Sequence, residues 1–251
     1  MSMKLFITPD TYIDTSKPID ISLSLSDTER NPKAWYVDAP VFEPVRTEHY
    51  TGSVAEGGSV NFRNIFFNPH GHGTHTECLG HITEEVYSIN KTIKEFFFKA
   101  QLISIKPKQE LNEDGAMDSI ILEDQLDNLK NVEALIIRTL PNHESKKSMD
   151  YSTTNPAYLD VKCAEKIIKA GIKHLLVDMP SVDRENDKGE LAFHHAFWEV
   201  PSNPNFERTI SELVFINNDI EDGVYLINFQ VAPFENDAAP SRPVLYQIIK
   251  A

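Results

Sequence analysis

Four of the nine histidines of this 251-residue chain fall between His70 and His81, where glycines are interleaved with them. Glu77 belongs to the same segment. Imidazole nitrogens and a carboxylate are ligands that suit Zn²⁺ or Mn²⁺, and a glycine-bearing turn lets closely spaced ligands converge on one ion. Because side chains alternate along an extended segment, His75 and Glu77 project to the same side. The cluster therefore predicts a divalent-metal centre that activates water.

Other nucleophiles find less support in the sequence. Alternation points Cys78 away from His75 and Glu77, which favours a small buried residue over a soft metal ligand. The Gly-x-Ser-x-Gly motif of serine hydrolases is missing from the sequence. A hydrolytic role would therefore depend on the metal and not on a serine or cysteine nucleophile.

Composition narrows the class of partner. The formal net charge of −14 is not interrupted by a cluster of Lys or Arg, which disfavours nucleic acids and anionic membranes and leaves a small molecule as the expected partner. The two cysteines, Cys78 and Cys163, form no Cys-x-x-Cys pair, which fits a reducing, cytoplasmic setting. Met1–Asp10 lacks the features of a signal peptide, and no apolar run approaches the length of a membrane span.

The elements that must position these residues are mostly short strands. Apolar, β-branched runs predict strands at Ile19–Leu25, Asn61–Phe67, Gln101–Lys106, Ala134–Arg138, His174–Asp178, Tyr225–Ala232 and Pro243–Ile249. The apolar face of Pro156–Ala170, with Gly171 as its stop, predicts a helix between two of these strands, in a right-handed βαβ crossover.

Less regular segments complete the prediction. A second helix is expected over Ile120–Lys130, and the acidic stretch Glu110–Asp114 is expected to be a solvated turn. No repeat or low-complexity linker divides the chain. We therefore expect residues 1–251 to form a single mixed α/β domain.

The histidine-rich segment resembles the signature of the metal-dependent cyclase/hydrolase family, which includes bacterial kynurenine formamidase and isatin hydrolase. That signature runs His-x-Gly-Thr-His-x-Asp-x-Pro-x-His, and here Gly73-Thr74-His75-x-Glu77-x-Leu79-x-His81 occupies its frame. Glu77 replaces the family's Asp, Leu79 replaces its Pro, and Gly71 stands where the family has its first histidine.

Further resemblances follow in the family's order and cover most of the chain. They are Asp20-Ile21-Ser22-Leu23, Asp178-Met179-Pro180-Ser181-Val182-Asp183, His194-His195-Ala196-Phe197-Trp198, Ile210-Ser211-Glu212-Leu213 and Asp237-Ala238-Ala239-Pro240-Ser241-Arg242-Pro243-Val244. Trp35 and Tyr36 lie where the family carries a substrate-pocket segment, although aromatic residues of this kind are more often plain core.

The resemblance implies a set of ligands and leaves some alternatives open. The implied ligands are His70, His75, Glu77, His194 and Glu212. His72 is the alternative to His70, which is favoured because Gly71 and Gly73 can absorb a distorted turn. His195 competes with His194. Glu207 competes with Glu212, since the latter requires Pro201–Phe206 to be an insertion.

The resemblance also implies a fold and an activity. The fold is a swivelling β/β/α architecture, the cofactor is one or two divalent ions, Zn²⁺ before Mn²⁺, and the assembly is a homodimer. The activity is hydrolysis of an amide or formamide C–N bond, with N-formylkynurenine as the substrate suggested by analogy and His81 carrying a proton to the leaving nitrogen. The alternatives are cyclisation or ring opening of a lactone or isatin, and a non-catalytic metal- or metabolite-binding protein.

Overall fold

The computed structural model describes residues 3–112 and 115–251, which are dominated by β-structure. In chain order the strands are β1 (Lys4–Thr8), β2 (Thr11–Asp14), β3 (Ile19–Asp20), β4 (Val41–Pro44), β5 (Arg46–Thr47), β6 (Tyr50–Thr51), β7 (Arg63–Phe66), β8 (His75–Glu77), β9 (Phe97–Ile105), β10 (Lys108–Leu111), β11 (Met117–Ile121), β12 (Ala134–Thr139), β13 (Tyr158–Leu159), β14 (His174–Val177), β15 (Thr209–Glu212), β16 (Gly223–Val231), β17 (Ala238–Gln247) and β18 (Ile249–Lys250). The α-helices are α1 (Ile89–Thr92), α2 (Lys162–Lys169) and α3 (Ala192–Trp198).

Seven of these strands close into a ring. Its order is β16-β9-β12-β14-β15-β8-β17, and β17 pairs again with β16, while β3 pairs with β17 outside the ring. Strands β9, β12, β14 and β15 run parallel, and β8 is antiparallel to both of its neighbours. The mixed α/β class expected from the sequence is confirmed. None of the helices within residues 3–112 and 115–251 has the length and hydropathy of a membrane-spanning segment.

The parallel strands are buried on both faces. In β12, Leu135 and Ile137 belong to an apolar cluster that includes side chains of α2 and α3. Ala134 and Ile136, which alternate with them, belong to a second cluster with residues of β9 and β16. Burial on both faces is the reason that these strands appear in the sequence as continuous apolar runs.

The predicted crossover is present, but its helix is shorter than expected. Strands β12 and β14 are parallel, with Ala134 opposite His174. Helix α2 covers only the second half of 156–170, because Leu159 instead donates its backbone N–H to Val182 and pairs in β13. The predicted stop at Gly171 is confirmed by its left-handed φ of 81°.

The helix predicted over Ile120–Lys130 is wrong. Ile120 and Ile121 end β11, where their backbones pair with β10 and β13, and only a 3₁₀ turn follows at Glu123–Leu126. The helix fails because two neighbouring strands use the backbone groups that its first turn would need. In the predicted turn at 110–114, Glu110 and Leu111 end the exposed strand β10, and Glu113 and Asp114 lie outside the described residues.

The first predicted strand is mostly wrong, because only Ile19–Asp20 of 19–25 pairs in a sheet. After Asp20, side chains instead of a neighbouring strand accept backbone N–H groups: Ser22 donates its N–H to the Asp20 carboxylate, and Leu23 donates its N–H to the Thr74 hydroxyl. The other strand predictions are confirmed with shifted ends, as the bounds of β7, β9, β12, β14, β16 and β17 show.

Candidate metal centre

Strand β8 carries the centre of the site. It lies between β15 and β17, with His75 opposite Glu212 on one side and Pro240 on the other. His75 and Glu77 are buried, and each has a ligand atom within 4.8 Å of a carboxylate oxygen of Glu212. Thr76 points the other way and hydrogen-bonds the Ser211 hydroxyl at 2.7 Å. The alternation predicted from the sequence is therefore confirmed.

The turn before β8 brings His70 into the same site. Asn68 accepts the backbone N–H groups of His70 and Gly71 on its side-chain oxygen, at 2.9 and 3.1 Å. Gly71 is needed here because a Cβ at this position would lie 2.7 Å from the Val37 side chain. His70 Nδ1 consequently lies 3.0 Å from Glu77 Oε2.

His194 reaches the site from α3, a helix that Asp183 anchors. The Asp183 carboxylate accepts the backbone N–H groups of Phe193 and His194 and also lies 2.5 Å from His194 Nδ1. His194 Nε2 then lies 3.0 Å from Glu77 Oε1. Glu212, at the end of β15, is fixed by the backbone N–H of Val182, which donates to its Oε1 at 3.1 Å.

The imidazoles of His70, His75 and His194 share one arrangement. One ring nitrogen of each contacts a group on the outer side of the site, and the other faces the carboxylate of Glu77 or Glu212. The outward partners are the Gly73 carbonyl for His75 Nδ1, Asp183 for His194 Nδ1 and Asp237 for His70 Nε2. Such bonds fix the tautomer and leave a lone pair on the inner nitrogen. The arrangement has the donors that a divalent cation requires.

Two buried atoms support this fit. His75 Nε2 and Glu77 Oε2 are buried from solvent and make no hydrogen bond with any described residue. His75 Nε2 is 3.3 Å from Glu212 Oε2, and Glu77 Oε2 is 3.0 Å from His70 Nδ1, without hydrogen-bond geometry in either pair. Buried polar atoms that no protein group satisfies are costly, and a cation among them would remove that cost.

The electrostatics of the site also favour a cation. Burial by itself lowers the pKa of His194, but hydrogen bonds and charge from Asp183 and Glu77 outweigh it and raise the pKa to about 10. Burial opposes ionisation of Glu77, yet the charge of His81 and the hydrogen bond with His194 bring its pKa well below the usual value. The buried carboxylates thus attract positive charge, and a divalent ion bound there would displace the protons from these imidazoles.

His81 lies at the mouth of the site. Its ring stacks on His70 at a centroid distance of 4.3 Å, and its Nδ1 lies 3.3 Å from Asp237 Oδ2 and 3.9 Å from Glu77 Oε2. A nitrogen of His81 falls within 4.8 Å of ligand atoms of His70 and Glu77, so the geometry alone permits coordination as well as proton transfer.

A cavity of about 430 Å³ opens beside these groups. Its lining includes His70, His81, His194, Glu212, Trp35 and Arg184. Trp35 therefore faces the cavity and the core cluster around Ala34, whereas Tyr36 is exposed.

The structure separates the remaining candidates from this cluster. His72 is held by the backbone of Asn68 and Asp38, at 2.8 and 2.6 Å, and lines a different cavity. His195 Nδ1 lies 3.3 Å from the Val200 carbonyl, and Glu207 is exposed and paired with Lys173. The Cys78 thiol donates to the Tyr87 carbonyl within an apolar cluster.

Sequence reasoning missed two carboxylates of the site, Asp183 and Asp237. Asp183 ends the segment that begins at Asp178, and Asp237 opens the last motif that resembles the family. The available signal was an acidic residue inside a matched motif, but spacing gave no indication of which histidine each carboxylate contacts.

The placement of His70 and His72 leads to a prediction. His70→Ala should weaken binding of Zn²⁺ or Mn²⁺ by about 10- to 100-fold or more, since a nitrogen beside Glu77 is lost. His72→Ala should leave the affinity unchanged, because both ring nitrogens of His72 face backbone groups. Competition with a chelator measures both affinities, and a larger loss in His72→Ala would move the ligand to that residue.

Comparisons with known proteins give a consistent picture. The family model described as "Putative cyclase" matches residues 19–184. A kynurenine formamidase of Bacillus cytotoxicus is 28% identical over 237 residues, 93% of this chain and 96% of that protein. One of Bacillus cereus is 28% identical over 236 residues, 93% of this chain and 99% of the relative.

Solved structures share the fold. An isatin hydrolase bound to the product analogue thioisatinate superposes with a TM-score of 0.63 at 9% identity, covering 94% of this chain and 93% of its own. A predicted metal-dependent hydrolase from Bacillus stearothermophilus gives 0.62 at 16% identity, covering 92% of this chain and 98% of its own.

Proposed function

This chain belongs to the putative cyclase family and is a metal-dependent hydrolase, and from that premise we propose that it cleaves the C–N bond of an aryl formamide. N-formylkynurenine is the specific substrate that we favour, because the curated relatives of similar length are kynurenine formamidases. The observation that carries the proposal is the arrangement of His70, His75 and His194 around the buried carboxylates of Glu77 and Glu212. Each imidazole is fixed by a hydrogen-bond partner on its outer nitrogen.

We assign the metal to His70, His75, Glu77, His194 and Glu212. Glu77 belongs to two groups of ligand atoms, one with His75 and Glu212 and the other with His70 and His81, so the site suits one or two ions. Their nitrogen and oxygen donors favour Zn²⁺, with Mn²⁺ second. When bound, such an ion polarises a carbonyl and makes water nucleophilic at neutral pH.

The chain's own residues supply the proton transfer. Hydrolysis forms a C–O bond from water and breaks the C–N bond, so one proton of that water must reach the departing nitrogen. His81 lines the cavity next to the ligand cluster and is the residue that we place in this role. Trp35 lines the same cavity and offers a flat apolar surface for the aromatic part of the substrate.

The proposal is tested by formate release from N-formylkynurenine and from a simple aryl formamide. Protein loaded with Zn²⁺ or Mn²⁺ should release formate, and a chelator should abolish the release until metal is restored. Absence of formate from metal-loaded protein would reject the formamidase assignment, and opening of isatin or a lactone in the same assay would replace it with a ring-opening hydrolase.

We further propose that the chain forms a single catalytic domain, acts in the cytoplasm and assembles as a homodimer. Strands β4 and β7 form a two-stranded sheet, and the ribbon of residues 41–66 exposes Val41, Phe62, Ile65 and Phe66. A two-stranded ribbon with apolar exposed side chains gains stability when a second copy covers it. Sedimentation should give twice the chain mass, and Phe62→Glu should give the monomer; a monomeric parent protein would reject the assembly.

A further inference from the structure

Asp237 connects the two stacked histidines of the site. Its Oδ2 lies 2.8 Å from His70 Nε2 and 3.3 Å from His81 Nδ1, so one carboxylate oxygen accepts from both rings. The rings are 4.3 Å apart at an interplanar angle of 29°, an arrangement that a shared acceptor at one edge holds in place.

The backbone fixes this carboxylate relative to β8. Asp237 immediately precedes β17, and its carbonyl accepts the backbone N–H of Cys78 at 3.0 Å. The side chain is 15% exposed, so solvent competes little for its oxygens.

The contacts decide which nitrogen each histidine offers to the site. A proton on His70 Nε2 directed at Asp237 leaves the lone pair on Nδ1, which is the atom 3.0 Å from Glu77 Oε2. A proton on His81 Nδ1 directed at the same oxygen leaves Nε2 free to exchange a proton with a substrate.

We propose that Asp237 is a positioning residue that acts on both histidines at once, presenting His70 Nδ1 to the metal and His81 Nε2 to the leaving nitrogen. This inference rests on the proposed function for its second half only. The first half concerns metal binding and can be measured without any substrate.

Asp237→Asn tests both halves. Affinity for Zn²⁺, measured by competition with a chelator, should fall by about 10- to 100-fold, as it does when a carboxylate behind a ligating histidine is removed. With metal held at saturation, kcat for the aryl formamide should fall by a similar factor while kcat for an activated aryl ester changes little, because only the amine needs the proton. Asp237→Glu, which keeps the charge, should recover part of both losses.

Asp183→Asn is the matched control, since the Asp183 carboxylate contacts His194 Nδ1 in the way that Asp237 contacts His70 and His81. It should weaken metal binding but lower the saturated rates for formamide and ester equally. With metal at saturation in a His81→Ala background, Asp237→Asn should cost no further formamide activity, since its effect on the rate acts through His81.

The inference is overturned if Asp237→Asn keeps the parent affinity for Zn²⁺, or if it lowers both substrates' rates alike at saturating metal. A further loss in the His81→Ala background at saturating metal would also overturn it. If the parent protein does not turn over formamides, the proposed function fails, whereas the affinity measurement still decides the contact with His70.

Discussion

His75→Ala is expected to remove most of the bound metal and to lower aryl formamide hydrolysis by about 10³-fold or more. Several kcal/mol of transition-state stabilisation depend on the metal, and each 1.36 kcal/mol is a factor of ten in rate. His75 is fully buried and its Nε2 lies 3.3 Å from Glu212 Oε2, so its loss removes a nitrogen donor from the group of ligand atoms that it forms with Glu77 and Glu212. Glu77→Ala should have the same effect, because Glu77 belongs to both groups of ligand atoms.

Elemental analysis of the purified variants measures this result, together with formate release. The parent protein should carry about one or two divalent ions per chain. His195→Ala is the control, because His195 is the histidine next to His194 and its Nδ1 faces the Val200 carbonyl, 3.3 Å away. It should keep its metal. Full occupancy in both His75→Ala and Glu77→Ala would contradict the site assignment.

His81→Ala is expected to lose about 10²- to 10⁴-fold in kcat for an aryl formamide while keeping its metal. His81 is 30% exposed at the cavity mouth and its Nδ1 is 3.9 Å from Glu77, whereas the inner nitrogens of His70 and His194 lie 3.0 Å from Glu77 oxygens. Its position suits exchange of a proton with substrate better than coordination.

The leaving group separates the two roles. An amine departs poorly without a proton, whereas an activated aryl ester releases a stable phenolate, so the ester rate should fall much less than the formamide rate. Both rates and the metal content are measured on the same preparation. Loss of metal would make His81 a ligand, and equal, small losses on both substrates would take it out of the mechanism.

Structural features that depend only on residues close together in the sequence could be predicted. The period of two along a strand places His75 and Glu77 on one side and Cys78 on the other, and the structure confirms this. Apolar runs located β12 and β14 and their parallel crossover for the same reason, because burial on both faces leaves a local pattern.

The helix expected over 120–130 shows where such patterns fail. Ile120 and Ile121 suit a helix or a buried strand equally well by periodicity. Ile120 adopts the strand conformation because it pairs with Lys108 in β10 and with Tyr158 in β13. A local apolar pattern gives no sign of either partner.

By itself, the sequence determined the chemistry available to this protein: imidazoles and a carboxylate packed into one segment, in motifs that identified the family. Only the tertiary structure decided which candidates meet. It places His70 and not His72 beside Glu77, because Gly71 must pack against Val37 and the ring of His72 is held by backbone groups.

The same holds for the more distant residues. Glu212 and not Glu207 lies opposite His75, because the register of β15 against β8 fixes that pair. Asp237 meets His70 across 167 positions of sequence. Spacing along the chain carries no information on such contacts, since strand register and loop closure set them only when the ring of strands forms.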